Sequence, residues 1–318
     1  MSKVDVSLII PTFNEEDNIR ETIIEWEKAL ANFNYEILVI DNGSNDRTIE
    51  IAEELADKCL TFPAATVGGL RNFGSDSSSG DILIFNDADV RPGNNWTHEF
   101  NSIFSSVLSS KLIIGGHLRS SLKDNWIYKY WFQQILESSK TDVNYVGTGH
   151  MIMSKKTFDD IGGFNNHLIT GEDYDICCRC KNAIGGQILL NKRLEVIHDG
   201  YPTSLRSLFL REHWHGQGDT QSLSTFFSSK IAVLATMYTT LALASLASFG
   251  AGAAFASLIF FILAITLLLL SSFYKFRKKM GPKGRTLNLA LFSVYLLARS
   301  CSIINPKTLK NLNISKRN

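Results

Sequence analysis

Short apolar runs alternate with amphipathic segments along the first part of the chain. The runs Val6–Ile10, Glu36–Ile40 and Ile82–Phe85 are short and mostly apolar, which is the pattern of strands buried in a sheet. Residues 15–30 and 46–57 repeat apolar side chains at helical spacing. Strands that alternate with helices through short connections predict an α/β fold with a mostly parallel sheet covered by helices.

Polar clusters follow each of these predicted strands. They occupy residues 12–14, 41–45 and 86–89. Ligands of parallel sheets bind beyond the carboxyl ends of the strands, because those ends meet at one edge of the sheet. The pattern therefore predicts a ligand site at this edge.

A long uncharged stretch lies in the C-terminal third of the chain. Residues 231–274 contain no charged side chain over 44 positions. One bilayer pass needs about 20 apolar residues, so this length predicts two passes, at about 231–249 and 252–274. A third apolar stretch, 286–304, contains Arg299. We expect it to lie in the membrane interface as an amphipathic helix, with a third transmembrane pass as the alternative.

The distribution of charge divides the chain in a similar place. Residues 1–219 hold 20 Lys and Arg and all 31 Asp and Glu, a net charge of −11. Residues 220–318 hold 12 Lys and Arg and no carboxylate, a net charge of +12. Such asymmetry predicts two environments, a catalytic domain at 1–219 and a membrane region at 220–318. The acidic first domain argues against nucleic acid as a partner.

The basic residues also predict an orientation in the membrane. Six of them follow the second apolar pass: Lys275, Arg277, Lys278, Lys279, Lys283 and Arg285. The positive-inside rule places them in the cytoplasm, and two passes return the chain to the side on which it began. No signal peptide precedes Val6. We therefore expect a multi-pass protein of the cell membrane with a cytoplasmic catalytic domain, whose basic tail contacts the anionic cytoplasmic leaflet.

Two carboxylates one residue apart follow the strand that ends at Phe85. Asp87 and Asp89 can both face a hard divalent cation, and Mg²⁺ or Mn²⁺ prefers oxygen ligands and bridges to substrate phosphates. Such a cation neutralises the charge that develops on a leaving diphosphate. An isolated Asp-x-Asp is more often a pair of solvated loop acids, so the neighbouring motifs decide its meaning.

An ordered set of motifs surrounds this pair, and with it the chain resembles the family 2 glycosyltransferases, which have the GT-A fold, here followed by a C-terminal membrane anchor. The segments that carry the resemblance are Pro11–Glu15, Val39–Asp46, Leu70–Gly74, Gly80–Ile82, Asp87–Asp89, Gly162–Phe164 and Gly171–Asp173. Each motif is weak alone, whereas their order is specific. They cover about two-thirds of the chain.

The resemblance implies which residues bind a nucleotide-sugar donor and its Mg²⁺ or Mn²⁺ ion. Asp89 would be the main metal ligand, and Asp87 would contact ribose or metal. His198 would complete the metal or diphosphate site, although a lone histidine is as often structural. Arg71 would pair with phosphate or base. The nucleoside pocket would comprise Pro11, Thr12, Glu15, Asp41 and Asn42. Many relatives have a second Asp where this chain has Asn42, which leaves the base open.

The resemblance also implies the catalytic and acceptor groups. Asp173 matches the base that takes a proton from the acceptor hydroxyl, and Glu172 would orient it or contact the acceptor. The alternative for Asp173 is an acid that interacts with a helix N-terminus. Arg211 would meet the diphosphate, and Trp214 would line the acceptor site. The alternative for Trp214 is an interfacial tryptophan before the first membrane pass.

We therefore expect an inverting glycosyltransferase whose acceptor is lipid-linked, either polyprenyl phosphate or a lipid-linked saccharide. The alternatives are a non-processive polysaccharide glycosyltransferase, a sugar nucleotidyltransferase and a non-catalytic membrane scaffold. A nucleotidyltransferase would have a glycine-rich loop after the first strand, where this chain has Pro11–Glu15. The aromatic-rich residues 124–136 predict either a core helix or a surface that lies on the membrane.

Overall fold

The computed structural model of the protein describes residues 3–63, 66–122, 124–138, 141, 143–276 and 280–303. The chain forms two compact units. The first comprises Met1–Ser121 and Ser139–Gly200, and the second comprises Leu122–Ser138 and Tyr201–Asn318. The predicted boundary at residue 219 differs from this division, because residues 201–219 belong to the second unit.

The first unit is built on a sheet of eight strands. Their bounds are β1 Val6–Thr12, β2 Tyr35–Asp41, β3 Lys58–Thr61, β4 Ile82–Asn86, β5 Val90–Pro92, β6 Leu112–Arg119, β7 His150–Ser154 and β8 Gln187–His198. The strand order is β3-β2-β1-β4-β7-β6-β8-β5. The first four strands of this order are parallel, β7 is antiparallel to both of its neighbours, and β5 is antiparallel to β8. The predicted mostly parallel α/β sheet is confirmed.

Helices of the first unit cover both faces of this sheet. Numbered along the whole chain, the helices are α1 Ile19–Leu30, α2 Thr48–Leu55, α3 Val67–Asp76, α4 Trp96–Ser109, α5 Gln133–Ser138, α6 Lys155–Ile161, α7 Glu172–Ile184, α8 Leu205–Asp219, α9 Leu223–Ser228, α10 Lys230–Gly250, α11 Ala254–Lys275 and α12 Pro282–Cys301. Helices α1, α2 and α4 pack with Leu8 and Ile10 of β1, and α3, α6 and α7 pack on the face of Ile9. Burial on both faces explains why the run at β1 is mostly apolar rather than alternating.

Two helices begin later than the sequence pattern predicts. Helix α1 starts at Ile19 rather than near residue 15, because Asn14 has a left-handed backbone (φ 56°) and residues 15–18 form a turn. Helix α2 starts at Thr48 rather than at 46. The carboxylate of Asp46 accepts the Thr48 backbone N–H at 3.0 Å, so residue 46 lies in the turn before the helix.

Two helices of the second unit are long and apolar enough to cross a membrane. They are α10, with a mean hydropathy of 1.7, and α11, with a mean hydropathy of 2.7. Only 22% and 11% of their most apolar windows are buried, so most of their apolar surface faces outward. The bounds lie close to the predicted passes at 231–249 and 252–274, and Gly252 makes the turn with a φ of 75°.

The stretch predicted to be interfacial or a third pass forms α12, which packs within the second unit. Leu291, Phe292 and Leu296 are fully buried. The guanidinium of Arg299 binds Glu212 at 3.0 Å and Asp219 at 2.8 Å, both on α8. These internal partners explain how an arginine is accommodated at the end of the mostly apolar second half of α12. The placement of α12 relative to a membrane stays a prediction.

The aromatic-rich residues 124–136 form core structure in the second unit. Tyr128–Phe132 is a π-helical turn that leads into α5. Trp131 is 1% exposed and contacts Tyr295 and Phe276, with ring centroids 5.0 Å apart in each case. Of the residues used to predict the orientation, Arg277, Lys278, Lys279 and the tail Lys307, Lys310, Lys316 and Arg317 lie outside the described residues.

Candidate active site

Asp87 and Asp89 lie in a turn at the end of β4 whose backbone is held from several sides. The hydroxyl of Thr22 donates to the carbonyl of Ala88 at 2.6 Å, and the indole of Trp26 donates to the carbonyl of Val90 at 2.9 Å. The backbone N–H of Asp87 donates to the carbonyl of Gly149 at 3.1 Å. Helix α1 and the segment before β7 therefore fix the turn that carries both carboxylates.

A buried polar network supports the same turn. The indole of Trp96 donates to Nε2 of His150 at 2.9 Å, so Nδ1 of His150 carries the proton and donates to Asn86 Oδ1 at 2.9 Å. The Asn86 amide then donates to the carbonyls of Asp87 and Val90 at 2.8 and 2.7 Å. Burial lowers the pKa of His150 to about 3, so the ring is neutral. A fully paired neutral network of this kind rigidifies the turn.

The Asp89 side chain lies against the residues at and just after the end of β8. It fills the space that a side chain at position 200 would need. Its Oδ2 is 3.3 Å from Nε2 of His198, and both side chains are largely buried. Strand pairing sets this distance, because Val90 pairs with His198. A Cβ atom at Gly200 would lie 1.9 Å from the same oxygen of Asp89. The Asp89 carboxylate can therefore occupy this position only because residue 200 is glycine.

Arg71 joins the two carboxylate pairs that the sequence singles out. Its guanidinium is 2% exposed and binds Asp87 Oδ1 and Glu172 Oε1, each at 2.9 Å. The Thr148 hydroxyl adds a hydrogen bond to the same oxygen of Glu172 at 3.2 Å. The predicted contact of Arg71 with phosphate or base stays a prediction, since two of its nitrogens already bind carboxylates.

Asp173 lies at the start of α7, next to Glu172. Burial, and then the charge of Glu172, raise the pKa of Asp173 to about 6. The backbone N–H of Tyr174 donates to Oδ1 of Asp173 at 2.7 Å. A Cβ atom at Gly147 would lie 3.9 Å from Asp173 Oδ2, and one at Gly149 would lie 3.4 Å from Asp87 Oδ2. Residues 147–149 therefore pass beside both carboxylate pairs.

The residues predicted to bind the nucleoside meet at the ends of β1 and β2. Pro11 and Thr12 pair with Ile40 and Asp41 in register. Asp41 Oδ1 accepts the backbone N–H groups of Gly43 and Ser44 at 2.8 Å each, so this carboxylate organises its own turn. Its Oδ2 accepts the Thr12 hydroxyl at 3.2 Å.

The two remaining residues of this predicted pocket complete the link between the first two turns. The backbone N–H of Asn42 donates to the carbonyl of Thr12 at 2.9 Å, and that of Glu15 donates to the Thr48 hydroxyl at 2.7 Å. The structure brings the five residues together. Their contact with a nucleoside stays a prediction.

Arg211 and Trp214 belong to α8 in the second unit. The guanidinium carbon of Arg211 is 4.8 Å from the ring centroid of Phe132 and 5.7 Å from that of Tyr201. Trp214 contacts His215, with ring centroids 5.0 Å apart. The proposed contacts of Arg211 with a diphosphate and of Trp214 with an acceptor stay predictions.

The residues around Asp89 fit a hard divalent cation. Among the described residues, no three His, Cys, Asp or Glu side chains form a preformed metal cluster. Mg²⁺ and Mn²⁺ sites that take most ligands from phosphates and water need only one or two protein groups. Asp89 and His198 supply a carboxylate and an imidazole 3.3 Å apart, and Oδ2 of Asp87 faces Gly149 nearby. The assignment of these three residues as ligands of the cation stays a prediction.

Comparison with known proteins gives the same picture. Residues 7–162 match the sequence model of Glycosyl transferase family 2. The chain is 29% identical over 189 residues to glycosyltransferase AglE of Haloferax volcanii, covering 56% of this chain and 62% of that protein. It is 38% identical over 94 residues to a dolichol-phosphate mannosyltransferase of Pyrococcus furiosus, covering 27% and 26%. The chain thus spans less than two-thirds of either relative.

A solved structure extends the likeness over most of the chain. The mannosyltransferase of Pyrobaculum calidifontis in complex with GDP-Man and Mn²⁺ superposes with a TM-score of 0.62, covering 96% of this chain and 89% of that one. At 15% sequence identity, this likeness concerns the fold alone. The predicted GT-A fold, followed by two apolar helices, is confirmed.

Replacement of Gly200 by Ala should displace the Asp89 carboxylate. We expect Mn²⁺ affinity, measured calorimetrically with UDP or GDP present, to fall about tenfold or more, as when a metal ligand loses its support. Gly250→Ala is the control, because a Cβ atom there meets nothing within 4 Å. An Mn²⁺ affinity of Gly200→Ala equal to that of the control would contradict the role of this close contact.

Proposed function

Residues 7–162 make the chain a glycosyltransferase of family 2, and from this premise we propose that it moves a sugar, with inversion, from a nucleotide-sugar to a lipid-linked acceptor. The acceptor would be polyprenyl phosphate or a lipid-linked saccharide at the cytoplasmic face of the membrane. One observation carries the proposal. Arg71 binds Asp87 and Glu172 at 2.9 Å each, so the carboxylates proposed for the donor and for the acceptor lie in one site.

The donor half of the site is formed by the ends of β1, β2 and β4. Pro11, Thr12, Glu15, Asp41 and Asn42 would contact the nucleoside. Asp89, Asp87 and His198 would hold Mg²⁺ or Mn²⁺, which neutralises charge on the departing diphosphate when bound. A solved protein of the same fold is in complex with GDP-Man and Mn²⁺, which supports a nucleotide-sugar and a divalent cation as ligands but assigns no residue.

The acceptor half is formed by the start of α7. An ordinary aspartate has a pKa near 4 and is a weak base. Burial and the neighbouring Glu172 raise the pKa of Asp173 to about 6, so this carboxylate is ionised at neutral pH and is also more basic. Asp173 would accept the proton of an acceptor hydroxyl. Glu172, held by Arg71 and Thr148, would keep Asp173 in place.

The lipid-linked acceptor rests on two supporting observations. The described chain contains α10 and α11, which are long and apolar enough to span a membrane. One relative is, by name, a dolichol-phosphate mannosyltransferase. Arg211 and Trp214 of α8 would contact the diphosphate and the acceptor. Lys283, which follows α11, would lie at the cytoplasmic face near the anionic leaflet.

The two key carboxylates should act at different steps, Asp89 in donor binding and Asp173 in transfer. With full-length protein, we expect one of UDP-, GDP-, CMP- or dTDP-sugars with Mn²⁺ to raise the melting temperature and to be turned over. Asp89→Asn should abolish the donor-dependent rise. Asp173→Asn should keep the rise and lose transfer.

Asp175→Asn is the matched control for these variants, because Asp175 lies on the same helix and is bound by Arg179 at 2.6 Å. It should retain both properties. Absence of binding and turnover across the whole donor panel would contradict the proposed function, and full activity of both Asp89→Asn and Asp173→Asn would contradict the residue assignments.

The transfer rate should fall on the acid side of pH 6. Protonation of Asp173 removes the base, so the rate should decrease about tenfold per pH unit below its pKa. Glu172→Gln removes a negative charge that raises this pKa and should move the acid limb to lower pH. The measurement is kcat against pH from about 4.5 to 8 for a hydroxyl acceptor. A wild-type rate that stays constant down to pH 4.5 would contradict Asp173 as the base.

A further inference from the structure

Two tyrosines in contact with each other are exposed at the acceptor half of the site. Tyr145 is 51% exposed and Tyr174 is 55% exposed. Their ring centroids are 5.7 Å apart and the rings meet edge to face, with an interplanar angle of 74°. Single exposed aromatic residues are ordinary on protein surfaces, whereas an exposed pair beside a catalytic group calls for a ligand.

Both rings are carried by segments that contact Asp173. Tyr174 follows Asp173 directly, and its backbone N–H donates to Oδ1 of that carboxylate at 2.7 Å. Tyr145 lies two residues before Gly147, where a Cβ atom would be 3.9 Å from the other carboxylate oxygen. The chain segments that carry the two rings thus also contact the Asp173 carboxylate, one at each oxygen.

The charges around Asp173 are unfavourable to an anionic acceptor. A phosphate monoester carries between one and two negative charges at neutral pH. An acceptor phosphate next to Asp173 would lie close to two carboxylates, those of Glu172 and Asp173. Arg71 is a cation whose charge acts on Asp173. That guanidinium already binds Asp87 and Glu172. A phosphate at this position would therefore meet carboxylates, with their cation otherwise engaged.

The chemistry of the nucleophile also favours a sugar hydroxyl over a phosphate as the attacking group. The oxygen of a phosphate acceptor is already ionised at neutral pH and needs no proton acceptor. A sugar hydroxyl is neutral and needs a base as it attacks. A partly buried carboxylate with a raised pKa, held in place by a backbone N–H, is useful only to the second kind of nucleophile.

We propose that the acceptor is a saccharide whose ring packs on Tyr145 and Tyr174 and whose hydroxyl, next to Asp173, is the nucleophile. This inference rests on the proposed function and narrows it to the saccharide class of acceptor. A sugar ring has a face of C–H groups that packs on an aromatic ring, while its hydroxyls stay in polar surroundings. Paired exposed tyrosines are suited to such an amphipathic ligand.

The chemical step follows from this placement. The acceptor hydroxyl oxygen forms a bond to the anomeric carbon of the donor sugar. The bond from that carbon to the diphosphate oxygen breaks, and its electron pair leaves with the nucleoside diphosphate. The hydroxyl proton moves to the carboxylate of Asp173. The products are a glycoside one sugar longer, a nucleoside diphosphate and a protonated Asp173.

The test offers the full-length protein two kinds of acceptor with the donor that it turns over. One kind is a set of octyl glycosides of glucose, galactose, mannose and N-acetylglucosamine, and the other is undecaprenyl phosphate. We expect transfer to a hydroxyl of at least one octyl glycoside, with loss of this transfer in Asp173→Asn. Transfer confined to undecaprenyl phosphate, or donor hydrolysis without any glycoside product, would overturn the proposal.

The variants Tyr145→Ala and Tyr174→Ala test the aromatic pair itself. Each should raise the KM for the glycoside about tenfold, as loss of one aromatic contact predicts. Tyr145→Phe and Tyr174→Phe keep the rings and should behave like the wild type. Leu108→Ala removes an exposed apolar side chain of α4 and is a second control.

An unchanged glycoside KM in both alanine variants would overturn the role of the tyrosines. If the proposed function itself were wrong, the wild type would neither bind nor hydrolyse any nucleotide-sugar, which differs from an unchanged glycoside KM. Donor hydrolysis without acceptor thus separates the two failures.

Discussion

The active site depends on one buried guanidinium placed between two acidic segments. Arg71 of α3 binds Asp87 at the end of β4 and Glu172 at the start of α7, both at 2.9 Å. Without this cation, carboxylates from elements far apart in sequence would repel one another in a partly buried space. The same charge acts on Asp173 and offsets part of the rise in its pKa that burial and Glu172 cause. The segments proposed for the donor and for the acceptor are therefore electrostatically linked through a single residue.

The groups that hold the carboxylates around this ion pair in place are uncharged and closely packed. His150, which burial keeps uncharged, holds Asn86 and through it the carbonyl groups of the Asp87–Val90 turn. Gly200 leaves space for the carboxylate of Asp89. Neutral hydrogen bonds and packing thus set the geometry, while the charged groups remain available for a cation, a diphosphate and a proton. The proposed acceptor surface of Tyr145 and Tyr174 adds no charge to this arrangement.

The sequence predicts the parts of this structure that have a strong local pattern. The apolar runs at β1, β2 and β4 and the uncharged stretch of α10 and α11 lie where the pattern places them. The pattern does not predict β8, because it contains Lys192 and Arg193 and pairs irregularly with β6. It places the start of α1 too early, since the left-handed backbone of Asn14 has no clear sequence signal.

The site residues divide in the same way. Asp87, Asp89, Arg71 and Asp173 belong to motifs whose order could be compared with a family. His150 and Gly200 could not be found from the sequence, because their importance arises from contacts with residues far along the chain. The ion pairs of Arg71 span 16 and 101 residues, so no local pattern could show that this arginine binds carboxylates.

The most direct measurement of the bridge by Arg71 compares thermal unfolding of two variants. Arg71→Met leaves Asp87 and Glu172 without their cation and should lower the stability of the first unit by about 3 to 5 kcal/mol. The triple variant Arg71→Met, Asp87→Asn, Glu172→Gln removes the stranded charges and should recover most of that loss. An Arg71→Met protein that melts like the wild type, or a triple variant that melts as low as Arg71→Met, would contradict the account.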